Sequence, residues 1–137
     1  MASNNNQNLI FRNNNDGPNL KVFPEIITVA HASDSTDIVY EPSQLLGGMV
    51  LRYHPGANDT LPSGSDIIQT LSDPPVGEAF DFYIRNMTTS DISLASGVGS
   101  TLDNSPSSIG IFQGQKYKGI ITGAGTVDVY PLGLLDN

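Results

Sequence analysis

The sequence lacks cysteine and tryptophan, and only six of its 137 residues are lysine or arginine. Without cysteine, the chain can form neither disulfides nor thiolate metal sites. Tryptophan and tyrosine are the side chains that build sugar-binding platforms, so tyrosine alone could do so here. Fourteen acidic residues give a formal net charge of −8. Because nucleic-acid affinity requires cations that neutralise phosphates, we expect no nucleic-acid partner.

Long apolar runs are also missing. No stretch approaches the roughly 20 apolar residues of a membrane helix, so we expect no membrane partner. The first eight residues carry neither a basic region nor an apolar run, and we expect no signal peptide there. Charged residues make up 15% of the chain, whereas glycine and proline number 14 and 9. A helical protein would carry more Glu, Lys and Ala, so this composition favours an all-β protein rich in turns.

The clearest strand pattern lies between Pro75 and Asn86, where apolar and polar side chains alternate. A period of two places these two sets on opposite faces of a half-buried antiparallel strand. The apolar set is Phe80, Phe82 and Ile84, and the polar set is Asp81, Tyr83 and Arg85. Further short β-prone segments follow between turn residues. At this length they predict one domain over residues 20–137, an antiparallel, jelly-roll-like β-sandwich.

One short helix is predicted from Ser65 to Leu71, with Ser63 or Ser65 as its N-cap. Residues 41–46 are compatible with a single helical turn. Residues 1–19 contain eight asparagines, which disfavour regular structure, and we expect a flexible, extended N-terminal arm. The alternative is a frayed terminus. Three consecutive apolar residues, Leu9, Ile10 and Phe11, would anchor the arm, and three more near the other terminus, Leu132, Leu134 and Leu135, would pack on the domain or on a neighbour.

No catalytic constellation emerges from the spacing of the reactive side chains. His31 and His54 are the only histidines, and neither has the spacing that sets two metal ligands on one helix face. No serine lies in a G-x-S-x-G pattern. We therefore predict no catalytic residue, no cofactor and no metal ion. Tyr83, on the polar side of its strand, is the residue to test for sugar binding.

Residues 44–131 resemble a small β-domain of virion structural proteins in tailed phages and large DNA viruses, often capsid decoration or minor capsid components. Each motif alone is only a strand with a turn, so their order carries the resemblance. The motifs are Leu45–Arg52, Leu61–Ile68, Val76–Asn86, Leu94 with Gly97 and Gly99, and Val127–Tyr130.

The resemblance implies a decoration, cement or minor capsid protein on the capsid surface, with no catalytic residue. It implies the major capsid protein or other virion proteins as partners, and association of the chain as a homotrimer. Closed oligomers are compatible with a β-protein because they bury strand edges. The apolar anchor and tail would then bind these partners. The alternative is a carbohydrate- or receptor-binding β-module of a viral spike or fibre. An enzyme is the least favoured class.

Overall fold

The computed structural model describes residues 28–135. The predicted arm over residues 1–19, with its anchor Leu9, Ile10 and Phe11, lies outside the described residues. Within residues 28–135 the chain forms nine strands and two helices, so the β-rich prediction is confirmed. In chain order these are β1 Thr28–Ala32, α1 Pro42–Leu46, β2 Gly48–Arg52, β3 Asn58–Thr60, α2 Gly64–Thr70, β4 Ala79–Asn86, β5 Ile92–Ala95, β6 Ser100–Leu102, β7 Ser107–Ile109, β8 Gly114–Ile121 and β9 Val127–Leu135.

The strands form two sheets. The larger has the order β1-β2-β4-β8-β9-β6, and the smaller has the order β3-β5-β7. In the larger sheet, β1–β2, β2–β4 and β6–β9 are parallel pairs, while β4–β8 and β8–β9 are antiparallel. In the smaller sheet, β3–β5 is parallel and β5–β7 is antiparallel. The prediction of an antiparallel fold is therefore wrong for four strand pairs.

The parallel pairs follow from the length of the connections between paired strands. A two-residue turn returns a strand antiparallel to its neighbour, whereas a parallel neighbour requires a crossover of a dozen residues or so. The chain passes through α1 between β1 and β2, and through β3 and α2 between β2 and β4. The fold has two helices and not the single one predicted, and α1 is the helical turn with which residues 41–46 are compatible. Pro42 fits its first turn, where no backbone donor is needed.

The apolar and polar side chains of β4 lie on opposite faces of the sheet, as the sequence predicts. Phe82 and Ile84 are buried, whereas Tyr83 and Arg85 are only partly covered. The Phe82 ring stacks on Tyr117 of β8, with 5.0 Å between centroids. Opposite Phe80, Gly119 leaves room for the aromatic ring. Buried hydrophobic residues from both sheets and both helices belong to one core cluster.

Helix α2 is shifted by one residue from the predicted Ser65–Leu71, and Ser63, one of the two predicted candidates, is its N-cap. The Ser63 side chain accepts a hydrogen bond from the backbone N–H of Asp66 at 3.1 Å, which satisfies one free donor of the first turn. The following residue, Gly64, lies against the backbone carbonyls of Gly99 and Gly125. Glycine is required there because a side chain would collide with both. Neither described helix is long and apolar enough to cross a membrane.

Candidate functional site

The six-stranded sheet has one face turned away from the core, which we call the outer face. Its side chains alternate along each strand with buried residues, and all of them are exposed or half-buried. They are Val29 and His31 on β1, Met49 and Leu51 on β2, Ala79, Asp81, Tyr83 and Arg85 on β4, Thr101 on β6, Lys116, Lys118 and Ile120 on β8, and Asp128 and Tyr130 on β9. Apolar and charged groups therefore share one surface.

The centre of the outer face is a charged cluster across β4 and β8. Strand register places Asp81 opposite Lys118 and Tyr83 opposite Lys116. Asp81 accepts from Lys118 Nζ at 2.9 Å and lies 3.8 Å from Lys116 Nζ. Lys116 Nζ also lies 5.6 Å from the centroid of the Tyr83 ring, a cation–π distance. One face of the Tyr83 ring is thus occupied by a cation of the same protein.

The cations of the described residues are distributed unevenly. Arg52 is fully buried. The other three, Arg85, Lys116 and Lys118, all lie on the outer face, on the neighbouring strands β4 and β8. No ion pair of the Arg85 side chain is found among residues 28–135. The outer face consequently carries every exposed cation of residues 28–135, together with the carboxylates of Asp81 and Asp128.

Exposed apolar side chains collect where β9 ends beside the start of β8, a region that we call the apolar end. Leu134 pairs with Gln115 of β8, and the turn just before β8 carries Ile111 and Phe112. The exposed fraction is 50% for Leu132, 52% for Leu134, 52% for Ile111 and 41% for Phe112. About half of each of these side chains is thus free to contact a neighbour, and the expectation that Leu132 and Leu134 pack on the domain or on a neighbour stays a prediction. Leu135 is the last residue of β9.

The largest buried polar cluster is built around Arg52 of β2 and Asp59 of β3. Arg52 Nε donates to Asp59 Oδ2 at 2.7 Å, and its Nη2 donates to Oδ1 at 3.0 Å. Tyr40 Oη and the backbone N–H of Ile38 donate to the same carboxylate at 2.9 and 3.0 Å. Burial, followed by the Asp59 charge, raises the pKa of Tyr40. Burial alone would lower the pKa of Arg52, but the hydrogen bond and charge of Asp59 outweigh it and raise that pKa.

The remaining donors of Arg52 bind backbone oxygens. Nη1 donates to the carbonyls of Ala32 and Asp34 at 3.2 and 2.9 Å, and Nη2 donates to that of Thr36 at 2.6 Å. A guanidinium has five N–H groups, so every one of them has a partner here. No group remains free to bind a substrate or transfer a proton. This cluster is a structural link between the two sheets and the loop that follows β1.

Asn86 forms a second buried link at the end of β4. Its Nδ2 donates to the carbonyls of Ser90, Ile109 and Gly110 at 2.7, 3.1 and 3.0 Å. Its Oδ1 accepts from the backbone N–H and the hydroxyl of Thr88. Asn86-Met87-Thr88 matches the acceptor pattern for N-glycosylation. Because Asn86 is fully buried with both polar atoms engaged, the folded protein cannot be modified there.

The remaining candidates carry little chemistry. His31 is exposed and stacks on Tyr53 with 5.8 Å between centroids, and His54 is half-buried. Within residues 28–135, no three acidic or histidine side chains are placed to hold a metal ion. A shallow hollow of about 120 Å³ is lined by Leu71, Pro74, Glu78, Ala79 and Phe80. Pockets for small-molecule ligands usually measure about 300–1,000 Å³.

Sequence reasoning missed the Arg52–Asp59 pair and the grouping of the cations. Alternation places Arg52 on the same side of its strand as the apolar Val50. This shared side is the signal that could have indicated that Arg52 is buried. Its partner lies on another strand, whose position depends on the three-dimensional fold. The cations group because Arg85 lies on β4 and both lysines lie on β8, and these strands pair. Comparisons with protein-family models, with curated proteins and with solved structures found no match to this chain.

Proposed function

We propose that this chain is a structural protein of a virion surface, a decoration, cement or minor capsid protein. We infer a virion because its strand and turn motifs resemble those of such proteins. In this role the chain occupies the capsid surface, forms a homotrimer, and stabilises the shell through contacts with the major capsid protein or other virion proteins. It performs no catalysis and requires no cofactor.

The apolar end is the observation that carries this proposal. Leu132, Leu134, Ile111 and Phe112 are large apolar side chains that remain about half exposed. Large apolar side chains that stay exposed near one end of a sheet are compatible with a surface that binds another protein. Removal of apolar surface from water contributes about 25 cal/mol for each Å², and the entropy lost on association offsets part of this contribution. We assign the apolar end as the surface that contacts the shell.

The proposal includes a β-sandwich over residues 20–137 in which the two sheets pack face to face. Both sheets contribute side chains to one core, including Phe82 and Ile84 from the larger sheet and Leu94 from the smaller. Tyr117 Oη of β8 donates to Ser107 Oγ of β7 at 2.9 Å, a further polar link between the sheets. Burial raises the pKa of Tyr117 to about 12. Because four of its strand pairs are parallel, the proposed sandwich differs from a standard jelly roll, in which the strands are antiparallel.

The alternative of a sugar- or receptor-binding module gains no specific support from the outer face. Tyr83 is the residue that would act as a stacking platform, and Lys116 lies over its ring. A sugar that stacks on that side would have to displace the ammonium group. Binding of a glycan by the free protein remains the result that would favour this alternative.

The proposal is tested by locating the protein. Particles from the biological source of this sequence would be purified on a density gradient and probed with an antibody raised against the recombinant chain. We expect the chain to migrate with intact particles, to label their outer surface by immunogold electron microscopy, and to occur in a fixed ratio to the major capsid protein. Absence of the chain from purified particles would refute the proposal.

A further inference from the structure

We propose that the outer face binds the acidic surface of a second copy of this chain. The inference names the surface through which copies associate, and so it rests on the homo-oligomer of the proposed function. It uses a different surface from the apolar end, which is assigned to the shell. The two assignments can therefore fail separately.

Charge complementarity is the first argument. The outer face holds three cations, Arg85, Lys116 and Lys118, together with Asp81 and Asp128. Elsewhere on the described surface, every exposed charged side chain is acidic: Asp34, Asp37, Glu41, Asp66, Asp73, Glu78, Asp91 and Asp103. Each copy thus carries one basic surface and the acidic surface that complements it. Complementary potentials bring two surfaces together and fix their register.

The composition of the outer face favours a protein over a polyanion as its occupant. A site for a sulfated glycan or a nucleic acid would present cations without intervening carboxylates. Here Asp81 lies between Lys116 and Lys118 and contacts both. Half-exposed apolar side chains, including Met49, Leu51 and Ile120, surround the charges. Tyrosine, methionine and arginine are enriched at interfaces between proteins, and the outer face presents Tyr83, Met49 and Arg85 on neighbouring strands.

The acidic segment 34–41 is the part of the second copy that fits best. Asp34, Asp37 and Glu41 are all exposed within eight residues of the chain. The buried Arg52 holds this segment by its donation to the carbonyls of Asp34 and Thr36. Little conformational entropy would then be lost on association, because the segment is already ordered.

The positions of the two surfaces allow a closed assembly. Strands β1, β2 and β4 run parallel, so their carboxyl ends lie at the same end of the sheet. Arg85 is near the end of β4, and the acidic segment begins two residues after β1 ends. In a closed assembly, each copy can offer its basic surface to one acidic segment and receive another copy's basic surface on its own.

The experiment uses two complementary triple variants of the full chain. The basic-side variant is R85Q/K116Q/K118Q, and the acidic-side variant is D34N/D37N/E41Q. The amide at position 37 keeps the oxygen that accepts from the backbone N–H of Asn58. A third variant, D73N/D91N/D103N, removes as much acidic charge from elsewhere on the surface and is the control. Circular dichroism and thermal unfolding verify that each variant is folded.

Sedimentation equilibrium would measure association in 50 mM and 500 mM NaCl. We expect the wild type to associate at low salt, with an apparent Kd that rises about tenfold or more at high salt, since screening weakens exposed charge pairs. Each complementary variant alone should lose about tenfold or more in affinity. An equimolar mixture of the two should regain mixed dimers, because the basic surface of one variant can bind the acidic segment of the other. A closed assembly should not re-form, since the reverse contact is lost in both.

Several outcomes would overturn the inference. The wild type could be monomeric at low salt, or its association could be weakened neither by salt nor by the triple variants. The control could lose as much affinity as the acidic-side variant, or the mixture of the two complementary variants could fail to associate. Binding only to an acidic protein other than this chain would also overturn it. A monomeric wild type would also refute the homotrimer of the proposed function. None of these outcomes bears on the presence of the chain in virions, which the particle experiment tests separately.

Discussion

At the scale of single residues, one buried ion pair fixes the relative position of several segments. Asp59 accepts four hydrogen bonds, from the side chains of Arg52 and Tyr40 and from the backbone N–H of Ile38. Because Arg52 also binds three backbone carbonyls, the pair joins β2, β3 and the loop after β1. Such a pair is seldom more stabilising than a packed apolar pair, but the loss of one partner leaves an uncompensated buried charge.

Replacement of Asp59 by alanine should therefore be strongly destabilising. We expect D59A to lower the free energy of unfolding by about 3–5 kcal/mol, as measured by urea denaturation followed by circular dichroism. D91A removes an exposed carboxylate and is the matched control, with an expected change within about 0.5 kcal/mol. Equal, small effects of both substitutions would contradict the structural role of the Arg52–Asp59 pair.

Some individual residues could be assigned from the sequence and others could not. Alternation correctly divided Phe82 and Ile84 from Tyr83 and Arg85, because the two faces of a half-buried strand differ in polarity. Arg52 shows the limit of this reasoning. A charged side chain is ordinarily read as exposed, and only the position of Asp59 in a separate strand makes its burial favourable.

At the scale of elements, local signals indicated α2 and the long strand β4, but not how the strands pair. The Ser63 cap and the spacing of Ile67, Ile68 and Leu71 indicated α2 because both act within one or two helical turns. The parallel pairs were missed because a period of two is the same in parallel and antiparallel strands. Their direction depends on the route of the connecting segments, which spans distant parts of the chain.

The contact between α2 and two neighbouring turns provides the test at this scale. A Cβ at position 64 would collide with the carbonyl oxygens of Gly99 and Gly125, and backbone atoms cannot move aside cheaply. We expect G64A to destabilise the protein by about 1–3 kcal/mol in thermal or urea unfolding. G125A is the control from the same cluster, because a Cβ at position 125 meets nothing within 4 Å. If G64A were as mild as G125A, the close contact would be wrong.

At the scale of the whole molecule, two surfaces stand apart from an otherwise acidic exterior. The apolar end collects residues from the turn before β8 and from the end of β9, and the outer face collects every exposed cation of the described residues. The sequence did single out Leu132 and Leu134, since apolar residues near a terminus are unusual. It could not show that Ile111 and Phe112 lie near the same end, because only the pairing of β8 with β9 brings them there.

In the proposed function the apolar end attaches the protein to its shell. The most direct test of this attachment counts how many copies of a variant bind to each particle. Particles stripped of the chain would be incubated with wild-type protein or with L132S/L134S, and bound copies would be counted by quantitative mass spectrometry. The control, V76S/V98S, removes two apolar side chains that are 68% and 85% exposed in other turns. We predict about tenfold weaker binding for L132S/L134S, equivalent to about 1.4 kcal/mol, and near-normal binding for the control. Unchanged occupancy of L132S/L134S would contradict the claim.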